Sequence, residues 1–280
     1  MKTFRLTSLF LALILTTQMC GQEYNYLQTA DVKGLVNQQS GIDKPVTVKV
    51  IYDNYAKNQG MTADWGYSIY IDGLEKKVLF DTGTKPEIFE SNFEKTGIDA
   101  GKTDYLVLSH EHADHTGGIS AFVRMKSGIP VIIPNSFSSG FKSRMKGFGL
   151  QPLLVREPAM ICKNLYTSGE LIYKIPEQAM VLDTKQGLVV MTGCSHPGIV
   201  EMLRKIKTDF NKNIYMVFGG FHLLEKTDSE MKSIISEMKG MGVVKCGATH
   251  CTGDRQIKMI REAFGDNYFE LGAGNTITIN

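Results

Sequence analysis

From residue 46 onward the chain is a succession of short apolar runs and amphipathic stretches, separated by turn-forming residues. Residues 46–53 (VTVKVIYD) alternate and are β-branched, which predicts a strand. Residues 67–71 and 77–81 flank Asp72-Gly73, a hairpin signal. The apolar run 105–108 predicts a short buried strand, and 131–133 another. Between them, 118–126 has helical spacing and is stopped by Gly128 and Pro130. In the second half, 179–183 and 188–191 form a predicted hairpin around Lys185-Gln186-Gly187. Residues 214–218, 243–246 and 276–279 are further predicted strands, and 199–206, 229–241 and 255–264 predicted helices. Hairpins mixed with helices give an α+β class, two sheets covered by helices.

The first 45 residues break this pattern. Lys2 and Arg5 precede an unbroken apolar run at 9–15 (LFLALIL), followed by Thr16-Thr17-Gln18. That run is too short to cross a bilayer, which takes about 20 residues, and it fits the core of a secretory signal peptide over 1–19. Cys20 stands where an exported lipoprotein carries its lipidated cysteine, although Thr17 and Met19 depart from the usual Leu and small residue there. The expectation is an exported, periplasmic or cell-envelope protein attached to a membrane through Cys20. Residues 20–45 are polar and predict a tether, leaving 46–280 as one catalytic domain.

Composition narrows the field without naming a function. Hydrophobic residues make up 42% and charged residues 21%, so extended disorder is excluded. Lys+Arg number 31 against Asp+Glu 29, a net charge of +2, which gives no reason to expect a nucleic-acid partner. Cys162, Cys194, Cys246 and Cys251 form no Cys-x-x-Cys pair, which argues against a structural zinc knuckle. Each reads as a small buried apolar residue.

The chemistry is carried by histidine. All six, His110, His112, His115, His196, His222 and His250, fall just after a predicted strand or at a glycine-rich strand exit, where binding groups tend to sit. The densest segment is Ser109-His110-Glu111-His112-Ala113-Asp114-His115, followed by Thr116-Gly117-Gly118. Imidazole nitrogen and carboxylate oxygen both suit zinc, iron and similar ions. In an extended turn residues two apart point the same way, so His110 and His112 can grip one ion while Asp114 and His115 reach a second.

His-x-His-x-Asp-His followed by Gly-Gly resembles the signature of the metallo-β-lactamase superfamily. Phe80-Asp81-Thr82-Gly83, Gly193-Cys194-Ser195-His196 and Thr249-His250-Cys251-Thr252-Gly253 resemble its other motifs, in order. The resemblance implies a four-layer αβ/βα sandwich with mixed sheets. It implies His110, His112 and His196 at one metal, and Asp114, His115 and His250 at another. Asp81 is then a supporting group behind the ligands. Where the superfamily has a bridging Asp, the chain has Gly219-Gly220-Phe221-His222. This is similar to the subfamily of archaeal dihydropterin-ribofuranosyl-aminobenzene phosphate synthases. His222 is then either a replacement metal ligand or a general acid facing the substrate. Losing an anionic bridge weakens the second site, so the expectation is one or two divalent ions, zinc first, with iron or manganese as alternatives.

The expected function is metal-dependent hydrolysis of a small-molecule substrate, anionic in one reading, with an ester or phosphodiester as the class. A metal lowers the pKa of its water from ~15.7 toward ~7, supplying hydroxide at neutral pH. Asp114 is expected to orient that nucleophile and accept a proton, and His222 to protonate the leaving group. A subfamily-type synthase acting on a pterin-like phosphate is the alternative, opposed by the export signal. An iron redox enzyme and a non-catalytic binding protein on the same scaffold are further readings. Asp53-Asn54 and the stretch around Trp65 are expected near the pocket mouth, and Lys142, Arg144 and Lys146 are candidates for attracting an anion.

Overall fold

The computed structural model describes residues 24–38 and 41–280; the signal peptide expected over 1–19 and Cys20 lie outside them. In chain order the elements are β1 (Asn25–Tyr26), α1 (Val32–Gln38), β2 (Val46–Tyr52), β3 (Ser68–Asp72), β4 (Val78–Phe80), α2 (Pro86–Lys95), β5 (Tyr105–Val107), α3 (Ala113–Thr116), α4 (Ile119–Met125), β6 (Pro130–Pro134), α5 (Ser139–Gly147), β7 (Gln151–Val155), β8 (Ala159–Cys162), β9 (Leu165–Thr167), β10 (Met180–Asp183), β11 (Leu188–Thr192), α6 (Ile199–Phe210), β12 (Ile214–Gly220), α7 (Asp228–Gly240), β13 (Lys245–Thr249), α8 (Asp254–Phe264) and β14 (Thr276–Ile279). One sheet runs β1-β7-β6-β5-β4-β3-β2-β14 and the other β13-β12-β11-β10-β9-β8. Both are mixed: β4 to β7 are parallel and β2 to β4 antiparallel, while β11 to β13 are parallel and β8 to β11 antiparallel.

The period-2 alternation of each strand sorts its side chains into layers. Val46, Val48 and Val50 of β2, Ile69 and Ile71 of β3, and Val78 and Phe80 of β4 meet Met180, Leu182, Val189, Met191 and Phe218 of the opposing sheet. The intervening Ile51, Tyr70 and Leu79 turn outward onto Phe89, Phe93 and Phe122 of α2 and α4. On the far side, Leu188 and Val190 of β11 pack under Met202, Leu203 and Ile206 of α6. The result is the expected four-layer αβ/βα sandwich.

Several elements differ from the sequence reading. The helix predicted over 118–126 is preceded by the turn of α3, so Asp114 and His115 sit on a helical turn rather than a bend. The strand predicted at 243–246 lies instead at Lys245–Thr249. Gly247 sits in mid-strand because a Cβ there would lie 2.4 Å from the Phe269 ring. The predicted tether contributes β1, paired in parallel with β7, and α1, whose Val32 and Val36 are buried. Helices α2 and α5 and strands β7 to β9 are not among the elements predicted from the sequence.

Candidate metal centre

All six histidines follow the carboxyl ends of parallel strands, where open α/β sheets bind ligands. His110, His112 and His115 follow β5 of the larger sheet, while His196, His222 and His250 follow β11, β12 and β13 of the smaller one. They meet at the rim where the sheets face each other. Among the described residues six that are not glycine have positive φ, and four of them, Asp81, Ser195, His222 and His250, lie in these rim loops. Such backbone strain persists where the surrounding structure over-determines it.

The rings of His110, His112 and His196 form a near-equilateral triangle with centroids 4.7, 4.7 and 4.8 Å apart, each ring steeply inclined to the others. The Nε2 atoms of His110 and His196 are 3.2 Å apart. Beside this triad, His115 Nε2 is 3.2 Å from His250 Nε2, and Asp114 Oδ2 lies 3.7 Å from the first and 3.3 Å from the second. The two triads predicted from the motifs are therefore both assembled in space.

Hydrogen bonds behind the rings set their tautomers. Asp81 accepts from Ser109 N–H at 2.7 Å and Ser109 Oγ at 2.7 Å. Ser109 Oγ, having given its proton to Asp81, accepts from His110 Nδ1 at 2.9 Å. Asp81 also accepts from His115 Nδ1 at 2.7 Å. Asn54 donates from Nδ2 to His250 O and accepts from Gly66 N–H, so its Oδ1 must be what His250 Nδ1 meets at 2.9 Å. In His110 and His250 the Nε2 lone pair is therefore turned into the cluster.

Burial, then the neighbouring imidazoles, pushes His110 far below its ordinary range, and burial with His222 and His112 holds His196 down to about 3. Burial opposes a charge on His115, but Asp81 prevails and raises it to about 9. Burial likewise opposes ionisation of Asp114, yet His250 and His115 hold it well below the carboxylate range. His115 Nε2, His250 Nε2 and Asp114 Oδ2 thus crowd within 3.7 Å of one another, where a shared proton or a metal ion would relieve the repulsion of their lone pairs. The donor set fits a divalent metal on this ground.

Two supporting residues escaped the sequence reading. Buried Glu177 accepts from the backbone N–H groups of Cys194, Ser195 and His196 at 2.8, 2.9 and 2.8 Å, clamping the loop that presents His196. Cys194, read as apolar filler, has its Sγ 3.1 Å from His115 Nε2. No periodicity or motif spacing signals Glu177, because its role depends on a contact between loops. Glu111, between two donors, turns away to accept from Ser138 N–H and Oγ.

The weaker candidates divide. Trp65, half exposed, donates from Nε1 to Asp114 Oδ2 at 2.9 Å and lies 5.1 Å from the His250 ring, at the mouth of the site. Asp53 lies behind His250, accepting from Thr249 Oγ1. His222 is exposed, with its ring 4.3 Å from that of His196, and it groups with Cys194 and Cys251 rather than with Asp114 and His250. Lys142 and Lys146 cover the Tyr24 ring and Arg144 the Phe141 ring.

Fold, paired triads and supporting bonds define a metallo-β-lactamase-type centre, and the chain belongs to the metallo-beta-lactamase superfamily, whose family model matches residues 62–193. The 7,8-dihydropterin-6-methyl-4-(beta-D-ribofuranosyl)-aminobenzene-5'-phosphate synthase of Methanocaldococcus jannaschii is 30% identical over 83% of this chain and 96% of its own. Among solved structures, Tm1679, described as a metal-dependent hydrolase of the beta-lactamase superfamily, is 29% identical with a TM-score of 0.71, covering 84% of this chain and 99% of that one. The metallo-beta-lactamase fold protein YhfI from Bacillus subtilis, 17% identical with a TM-score of 0.60 over 84% of this chain and 100% of its own, shares the fold. The superfamily typically binds one or two divalent metals.

Proposed function

We propose that the protein is a metal-dependent hydrolase of an ester, phosphodiester or related small molecule, zinc being the first candidate metal. The observation that carries the reading is the convergence of two donor triads, with Nε2 lone pairs of His110 and His250 directed inward by Ser109 and Asn54. Bound divalent ions supply Lewis acidity and lower the pKa of a coordinated water toward ~7. His110, His112 and His196 would hold one ion, and Asp114, His115 and His250 the other. Asp114, held ionised and tethered by Trp65, is suited to ligate and to orient a water's hydrogen bond. Asp114 is also the proposed acceptor of that water's proton. His222, exposed beside His196, is the proposed donor of a proton to the leaving group, a reading its position supports.

The likeness to the M. jannaschii synthase supports a second reading, a synthase acting on a pterin-like phosphate. Metal content and hydrolysis of generic esters and bis-phosphodiesters, measured before and after His112→Ala, test the first. Retained metal in the variant would sink the site assignment. Stoichiometric metal without hydrolysis, alongside turnover of a pterin phosphate precursor, would favour the synthase. Export and lipid attachment at Cys20 are proposed on the apolar run 9–15 and its flanks. The mass of the mature N-terminal peptide from envelope fractions tests this.

A further inference from the structure

The chain lacks the strand-exit carboxylate that would join two metal positions, and the fold leaves it no room. A Cβ on Gly220 would lie 2.3 Å from Gly193 O, 2.9 Å from Cys251 Sγ and 3.2 Å from the His250 ring. One on Gly219 would lie 2.1 Å from Thr192 O. No side chain from the exit of β12 can enter at either position. The sulfur against Gly220 is that of Cys251, which groups with His222 and Cys194.

Cys194 Sγ is the donor common to both sides of the centre. It lies within 4.8 Å of the donor atoms of His110 and His196 on one side, and of Asp114, His115 and His250 on the other. Its backbone is fixed, because its N–H is bound by buried Glu177 and the following two N–H groups are held by the same carboxylate. A core cysteine needs no such clamp. Cys194 is buried, and its Sγ faces the centre, 3.1 Å from His115 Nε2.

We propose that the Cys194 thiolate is the anionic ligand shared between the two metal positions, filling the part left empty by Gly219-Gly220. The inference rests on the metal-centre reading above. On metal entry the S–H bond is lost, its proton passes to solvent, and the sulfur lone pair bonds to the ion. Thiolate as a ligand favours zinc or iron over magnesium or manganese.

Cobalt(II) loading of the chelator-stripped protein tests it without reference to activity. The expected result is a sulfur-to-cobalt charge-transfer band in the near ultraviolet, retained in Cys251→Ser and lost in Cys194→Ser. The second variant should bind both ions more weakly, by on the order of 100-fold or more, the upper scale for partners surrounding metal ligands. Should Cys194→Ser fail to fold, X-ray absorption of the zinc-loaded wild type replaces it, with a sulfur shell at about 2.3 Å expected. Cobalt bound with no sulfur band, a nitrogen-and-oxygen-only shell, or a band lost in Cys251→Ser but kept in Cys194→Ser overturns the proposal and leaves the metal centre standing. A wild type that binds no cobalt overturns both.

Discussion

Asp53 offers the cleanest test of the electrostatics behind the centre. It is fully buried, accepts from Tyr55 N–H at 3.1 Å and Thr249 Oγ1 at 2.7 Å, and braces the residue before His250. Burial raises its carboxyl from 3.8 to about 7, against the pull of Thr249 and His250. Below about pH 4 the group is protonated in both the folded and the unfolded chain. Between about pH 4 and 7 only the unfolded chain gives up its proton, so stability falls with rising pH. Above about pH 7 the loss is complete, and at ~1.4 kcal/mol per pH unit it totals about 4 kcal/mol. At ~2 °C per kcal/mol for a chain of this size, that is about 8 °C in Tm as an upper bound. Asp53→Asn keeps an acceptor for Tyr55 N–H and a neutral group for Thr249 at every pH. Melting of metal-stripped wild type and variant, compared from about pH 5 to about pH 8, should show the variant gaining several degrees on the wild type as pH rises. A difference that stays flat across that range would refute the reasoning.

Other substitutions test the supports. Asp81→Asn removes the carboxylate that orients His115 and Ser109, and zinc affinity, read by competition with a chromophoric chelator, should fall about 10–100-fold. Gly220→Ala places its methyl against backbone 2.3 Å away, and urea unfolding should show a loss of at least ~2 kcal/mol. Glu177→Ala orphans three buried N–H groups at ~1–3 kcal/mol each, partly offset by relief of the buried charge, so a net loss of about 3 kcal/mol is expected in the same assay. In each case wild-type behaviour would contradict the contact described.

The motifs exposed the members of both donor triads because each motif is local: a strand ends, and a histidine follows within four residues. The sandwich was legible for the same reason, since Val46, Val48 and Val50 alternate with residues of the opposite face. What was hidden depends on tertiary proximity. Glu177 lies in a loop without pattern and acts on a loop from another strand exit. Gly247 reads as a break in a strand until Phe269 is seen in the space of its side chain. Cys194 has the composition of core filler, and only the convergence of donors around it separates it from Cys246, which is buried within the apolar core.

The donors are drawn from residue 110 to residue 250 and from both sheets, and β14, which flanks β2, is the last segment of all. The set His110, His112 and His196 is therefore complete in the chain well before His250 is reached. A chain cut after α7 keeps one triad and loses the closing member of the other. The second donor group therefore depends on β13 and the turn after it, while the first does not.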